Sequence, residues 1–270
     1  ADYNKIVPLF LHHQFKDNKF KQYLSNIISG ANINNLKADF IYNYQIPLPP
    51  IEIQQKIVAE IEQYQKVIDG AKLIVDNYKP KININPEWQT AKLSEIADIT
   101  TGKLNANQAV ETGEYPFFTC SKDIFRIDKY AFDTEALILS GNNANGVFDV
   151  KHYKGKFNAY QRTYVITIKN ENVIKYRYFH YQLNMHLDLL MRQSIGSMTR
   201  YLTLPTIQNL DIIIPPLEEQ QKIVAELEHE RKLVDNAKQL IDIMQNKINF
   251  TISQLWSVPN IAVNESDNAE

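Results

Sequence analysis

Twelve residues beginning at Pro49, Pro49-Pro50-Ile51-Glu52-Ile53-Gln54-Gln55-Lys56-Ile57-Val58-Ala59-Glu60, return as Pro215-Pro216-Leu217-Glu218-Glu219-Gln220-Gln221-Lys222-Ile223-Val224-Ala225-Glu226, with ten positions identical at an offset of 166. A repeat at that spacing is too long for a solenoid and describes a domain-sized unit used twice, with a helix closing each copy. Ile46 meets Ile212 at the same offset, and residue 1 would correspond to Thr167. The complete unit is expected over residues 85–214. Residues 1–48 then read as the C-terminal remnant of a first unit that lacks its beginning.

Both repeated segments carry apolar residues at heptad spacing. One seam position falls on Gln54, Ile61, Ile68 and Val75, the other on Ile57, Tyr64 and Ala71. In the second segment the seam runs through Gln220, Leu227, Val234, Ile241, Ile248 and Leu255, with Ile223, Ala237 and Met244 at the alternate position. Further apolar residues (Val58, Val67, Ile74; Val224, Leu233, Leu240) widen the stripe. Proline before each segment suits a helix start, and Glu52, Glu218 and Glu219 favour its positive end. Spacer helices are therefore expected within residues 49–80 and 215–256, about 40 and 60 Å long at 1.5 Å per residue. They should pair as an antiparallel coiled coil; the alternative is that each helix packs on its own globular domain. Residues 257–270 read as a polar, disordered tail.

The complete unit reads as mixed α/β (α+β). Leu93–Ala97 is helix-like, and β-rich runs cover Tyr115–Thr119, Ala136–Leu139, Val147–Tyr153 and Tyr164–Ile168. A helix is expected from about Ile174 to Arg192, then a buried strand at Ile212–Ile214. The Gly141-to-Gly146 cluster marks a turn.

Net charge is −2, yet residues 151–200 hold nine Lys or Arg against two acids, for +7. That footprint suits a polyanion, and equally a basic surface in water. The single cysteine, Cys120, cannot form an internal disulfide and points to a reducing cytoplasm. Its neighbours Thr119 and Ser121 supply no base for a nucleophile. No apolar run approaches a membrane span. There is no phosphate-binding Gly-Lys-Ser/Thr loop, no dinucleotide fingerprint and no Cys/His metal spacing, so neither catalysis nor a metal is expected in the chain itself.

Several segments together resemble the specificity subunit of type I restriction-modification enzymes. They are Pro86-Glu87-Trp88 with Lys92-Leu93-Ser94-Glu95-Ile96-Ala97, Ile138-Leu139-Ser140-Gly141-Asn142-Asn143, Gly155 through Tyr164, and Leu202-Thr203-Leu204 leading to Ile214-Pro215-Pro216-Leu217-Glu218-Glu219-Gln220-Gln221. The resemblance implies two target-recognition domains joined by paired helices, each domain reading half of a split double-stranded DNA target. It implies no chemistry in this subunit, which docks adenine methyltransferase subunits and, through them, the restriction and translocation subunit. S-adenosylmethionine, ATP and Mg would belong to those partners. With one complete domain here, a second copy of the chain (a homodimer) is one supplier of the other half-site. A specificity region of a fused single-chain enzyme and a coiled-coil protein-binding adaptor are the competing readings.

The candidate base readers follow from side-chain chemistry. Asn142, Asn143 and Asn145 suit adenine, and the glycine-bounded loop allows close approach; a turn that merely favours Asn and Gly is the alternative. Tyr160, Gln161 and Arg162 form a polar trio that packing does not require. Lys122, Arg126, Thr199 and Arg200 complete the set, with Lys154 and Lys156 as phosphate anchors.

Overall fold

The protein is described by a computed structural model covering residues 5–28, 38–144 and 146–256. Helices α1 (Pro8–Lys16), α2 (Asn18–Ile28), α3 (Ala38–Tyr42) and α4 (Ile51–Asn77) come first. Then follow β1 (Gln89–Lys92), α5 (Leu93–Ile96), β2 (Ala97–Thr101), β3 (Tyr115–Phe118), β4 (Phe125–Ile127), β5 (Phe132–Ser140), β6 (Asn142–Asn143), β7 (Val150–Ala159) and β8 (Thr163–Ile168). The rest comprises α6 (Tyr176–Met185), α7 (Leu187–Gln193), β9 (Arg200–Tyr201), α8 (Leu204–Gln208), β10 (Asp211–Ile214) and α9 (Leu217–Leu255). The mixed α/β class with long helices is as expected. Two compact units divide the chain, residues 79–231 and residues 1–78 with 232–270, so α9 contributes to both.

In the first of these units a six-stranded sheet runs in the order β2-β8-β5-β7-β3-β4. Its pairs are antiparallel except β3 with β7. Side chains alternate across a strand, and both faces are covered here. Ala136 and Ile138 bury with Phe118, Phe157, Ala159 and Val165 on one face. Leu137 and Leu139 bury on the other with Val150, Ile166 and the helical residues Tyr178, Phe179, Leu183, Leu190 and Ile207. A slip of one residue would exchange those sets, so the register is specified by burial.

Three elements differ from expectation by more than a residue, and the first is β7, which runs Val150–Ala159 where Val147–Tyr153 was expected. Strand β5 begins at Phe132 because Glu135, a residue that disguises a strand in the sequence, is paired within the sheet. Its carboxylate accepts from His152 Nε2 and Lys154 Nζ, each at 2.8 Å. Burial raises the Glu135 pKa, but the Lys154 and His152 hydrogen bonds outweigh it and hold it below the usual value. The helix expected over residues 174–192 is two helices broken at His186. There the N–H turns back to Gln182 O and Leu183 O, and Nδ1 lies 2.8 Å from Gln182 O.

His180 on α6 donates Nε2–H to Val150 O at 2.9 Å. Burial lowers its pKa, the Val150 bond partly opposes this, and His152, Arg177 and Arg231 add to the lowering. The unfolded chain therefore binds the proton more readily. Stability is full above about pH 6.5 and declines as the pH falls from there toward the lowered folded value. His180→Phe should flatten urea-midpoint measurements in that interval, while the Glu135 contribution is lost only at lower pH.

In the other unit α4 and α9 pair along Ile61, Ile68, Ile248 and Ile252, flanked by Ile57, Tyr64, Ile241 and Met244. Thr251 Oγ1 lies 3.4 Å from Glu60 Oε1, whereas Lys247 Nζ sits 5.4 Å above the Tyr64 ring. Rising numbers on α4 meet falling numbers on α9, so the pair is antiparallel. Val234 is buried, while Val75 and Leu255 are half-buried. Ile223 and Leu227 correct the seam expectation, because they pack into the core of residues 79–231. The start of α9 thus follows the alternative, a helix lying on its own domain, and its continuation follows the coiled coil.

Gln54 and Gln220 also leave the seam. Gln54 is fully buried: Oε1 accepts from Val7 N at 2.8 Å, and Nε2 donates to Lys5 O and Pro49 O. Gln220 is built identically, accepting from Lys175 N at 2.9 Å and donating to Val173 O and Pro215 O. Each clamp joins the start of a long helix to the start of an earlier one. It also aligns the copies and shifts the offset from 166 to 168 at this end, so that Phe10 matches Tyr178 and Gln14 matches Gln182. Gln182 Nε2 donates to the Tyr178 hydroxyl at 2.6 Å. Phe10 has no hydroxyl, and both amide atoms of Gln14 are buried without a partner. Phe10→Tyr is expected to raise stability by about 1 kcal/mol, read from the urea midpoint, by supplying that partner.

Candidate nucleic-acid interface

The connection from β7 to β8, residues 160–162, with Thr163 at the start of β8, is the hub on which four other loops converge. Its own turn is closed by Thr163 N to Tyr160 O, and Tyr160 N donates to Phe118 O, both at 2.8 Å. The loop after β5 is joined by Gly141 N to Arg162 O at 2.9 Å. Strand β6 then pairs with β9, setting Asn142 opposite Tyr201 and Asn143 opposite Arg200. Leu202 N to Gly141 O and Tyr164 Oη to Leu202 O fasten that second loop. The loop after β3 is held by the Cys120 thiol, which donates to Arg162 O at 3.3 Å, and by Lys151 Nζ to Ser121 O at 2.9 Å. Cys120 is thus a tether in this surface.

The fourth loop follows β2. Gly102 N donates to Thr163 O at 3.3 Å, and Gln161 N donates to Leu104 O at 2.9 Å. The Gln161 carboxamide also donates Nε2–H to Asn105 Oδ1 at 3.0 Å. Gly102 is required by close approach, since a Cβ there would lie 1.8 Å from Ala159 O. Lys103, Asn105, Asn107 and Gln108 are exposed beside the hub. Sequence reading missed them, because only a long-range backbone bond brings them there.

The candidate residues divide by what their side chains already do. Gln161, Arg162, Lys122, Thr199 and Arg200 are exposed, and Tyr160 is half-buried. Arg200 reaches Ser194 O at 3.5 Å, and its stem lies against Gly146, where φ is +68°. Asn142 and Asn143 are half-buried, and the Asn142 side-chain oxygen is shielded from solvent without a partner. Asn145 lies outside the described residues, as does the 257–270 segment. Arg126 is committed to structure, with Nε bonded to Gly113 O at 2.9 Å and a second nitrogen to Glu114 O at 2.7 Å. Lys154 is bound to Glu135, and Lys156 lies 4.7 Å above the Tyr130 ring. These last three stand apart from the hub, on β4 and β7.

The sheet of residues 79–231 thus gathers five loops rich in polar and basic residues, and the other unit holds a pair of long antiparallel helices. Residues 2–74 and 85–246 match the type I restriction modification DNA specificity domain, and the chain belongs to that family. Over 152 residues, 56% of its length, it is 38% identical to the Escherichia coli type I restriction enzyme EcoDI specificity subunit. It is 22% identical over 87% of its length to the Methanocaldococcus jannaschii type I restriction enzyme MjaIX specificity subunit. It spans 33% of the first relative's length and 65% of the second's. Among solved structures, the HsdS subunit from Thermoanaerobacter tengcongensis is similar at a TM-score of 0.51 and 18% identity, covering 94% of this chain and 71% of that one. A chain described for complex assembly and conformational transition of the type I restriction-modification system reaches 0.60 at 19% identity, covering 95% and 72%. These likenesses support the fold. No helix among the described residues is long and apolar enough to cross a membrane.

Proposed function

We propose that this chain is the DNA-recognition subunit of a type I restriction-modification complex in the cytoplasm, reading part of a split target and performing no chemistry itself. The observation that carries this reading is the loop hub. Gln161 and Arg162 stand exposed on backbone that four neighbouring loops hold in place, as base readout requires. Adenine methyltransferase subunits dock on the chain and bring S-adenosylmethionine; the restriction and translocation subunit joins through them with ATP and Mg. The paired helices support docking, because Val67, Leu73, Ile74, Leu233, Ile243 and Phe250 remain exposed after pairing, between 39% and 66%. Such side chains are available to a protein partner that covers the helix pair. A second copy of the chain supplies the other half-site where no other domain does.

Reconstitution with an adenine methyltransferase subunit, followed by genome-wide mapping of methylated adenines, tests the reading. One split motif is expected. No methylation with a competent partner overturns it. Duplex binding should also weaken steeply with salt, the logarithmic slope rising by about 0.9 for each phosphate neutralised. Arg162→Ala should weaken the cognate duplex by about 1–3 kcal/mol and relax one position of the motif. An equal loss on random duplex would reassign Arg162 to phosphate.

A further inference from the structure

The loop after β2 has no assigned role, yet it bonds to the one side chain of the hub best suited to adenine. We propose that Asn105 is a positioning residue that fixes the Gln161 carboxamide so that it accepts adenine and rejects guanine. This rests on the DNA-reading function proposed above. Asn105 is itself held: its carbonyl accepts from Gln108 N at 3.1 Å, and the preceding Leu104 O accepts from Gln161 N at 2.9 Å. Two hydrogen-bonded backbone segments therefore bring the two amides together, and Gln161 Nε2 donates to Asn105 Oδ1 at 3.0 Å.

The consequence follows from counting hydrogen-bonding groups. A glutamine amide has two N–H donors and one oxygen acceptor. With one N–H given to Asn105, Gln161 presents one donor and one acceptor in a fixed order. Adenine shows the complement in the major groove, an N7 acceptor beside an N6 donor. Guanine shows two acceptors, N7 and O6, and meets the Gln161 oxygen with a repulsive oxygen. Freed from Asn105, the carboxamide can turn and offer both N–H groups to guanine. Discrimination at this position is thus a property of the pair.

Methylation mapping with the reconstituted complex tests this through Asn105→Ala, Asn105→Asp and Gln161→Ala. Asn105→Ala should admit guanine where the unaltered complex requires adenine, lowering discrimination about tenfold. The same position should become degenerate in Gln161→Ala. Asn105→Asp keeps an acceptor for the Gln161 N–H and should retain adenine, although added negative charge weakens binding overall. A motif unchanged in Asn105→Ala but altered in Gln161→Ala overturns the positioning role. A motif unchanged in both shows that the pair reads no base, while a defined motif from the unaltered complex leaves the recognition function standing. No motif from any complex removes that function as well.

Discussion

Gln220→Ala is expected to cost about 3 kcal/mol of folding stability, although the residue lies in a helix where alanine is the better helix former. The side chain is 1% exposed and makes three hydrogen bonds. Its removal strands the Lys175 N–H and the Val173 and Pro215 carbonyls, and each buried group left unsatisfied costs about 1–3 kcal/mol. Gln221, next to it in the same repeated phrase, is exposed, and Gln221→Ala should stay within about 0.5 kcal/mol. Urea midpoints of the two variants make the comparison. A Gln220→Ala loss no larger than that of Gln221→Ala would remove the clamp as a stabilising device. Gln220→Glu should be worse still, because a carboxylate would face two carbonyl oxygens with nothing to donate.

Gly102→Ala is expected to destabilise residues 79–231 by about 3 kcal/mol and to weaken DNA binding at the same time. The added Cβ would lie 1.8 Å from Ala159 O, 2.2 Å from Ala159 C and 2.7 Å from Tyr160 O. All three are backbone atoms, which cannot swing aside as a side-chain tip can. The loop must withdraw from the hub, taking Leu104 and Asn105 from Gln161. Gly70, within α4, is the matched control, since a Cβ there meets nothing within 4 Å. Gly70→Ala should stabilise by about 0.5–1 kcal/mol through helix propensity alone. Denaturation midpoints for both variants, with duplex affinity for Gly102→Ala, separate steric exclusion from backbone entropy. Unchanged duplex affinity in a destabilised Gly102→Ala protein would take the β2 loop out of the DNA surface.

Local periodicity was a good guide wherever neighbours along the chain share one environment. The starts of both long helices follow directly from the proline pairs, and Ile61, Ile68, Ile248 and Met244 belong to the helix pair as their spacing indicates. Ile252, equally buried there, lies off the heptad and was missed. Spacing could not tell which surface an apolar stripe would meet, so Ile223 and Leu227 looked like seam residues yet belong to a domain core. The same limit applies to the site. Gln161 and Arg162 were legible because a polar pair before a buried strand has no packing role. Arg126 and Lys154 looked equally available, but carbonyls at Gly113 and Glu114 and the carboxylate of Glu135 engage them.

The sequence by itself determined that one phrase occurs twice, that each occurrence opens a long helix, and that the chain resembles a DNA specificity subunit. The first two rest on repetition and short-range spacing, the third on the likeness of several ordered segments to a known family. Only the tertiary structure decided that the repeated Gln-Gln pair contains one clamp and one exposed residue. It alone placed Asn105 beside Gln161, 56 residues apart in the chain. The physical reason is the same in both cases: a hydrogen bond is a statement about two atoms in space, and its partner leaves no mark in the local pattern.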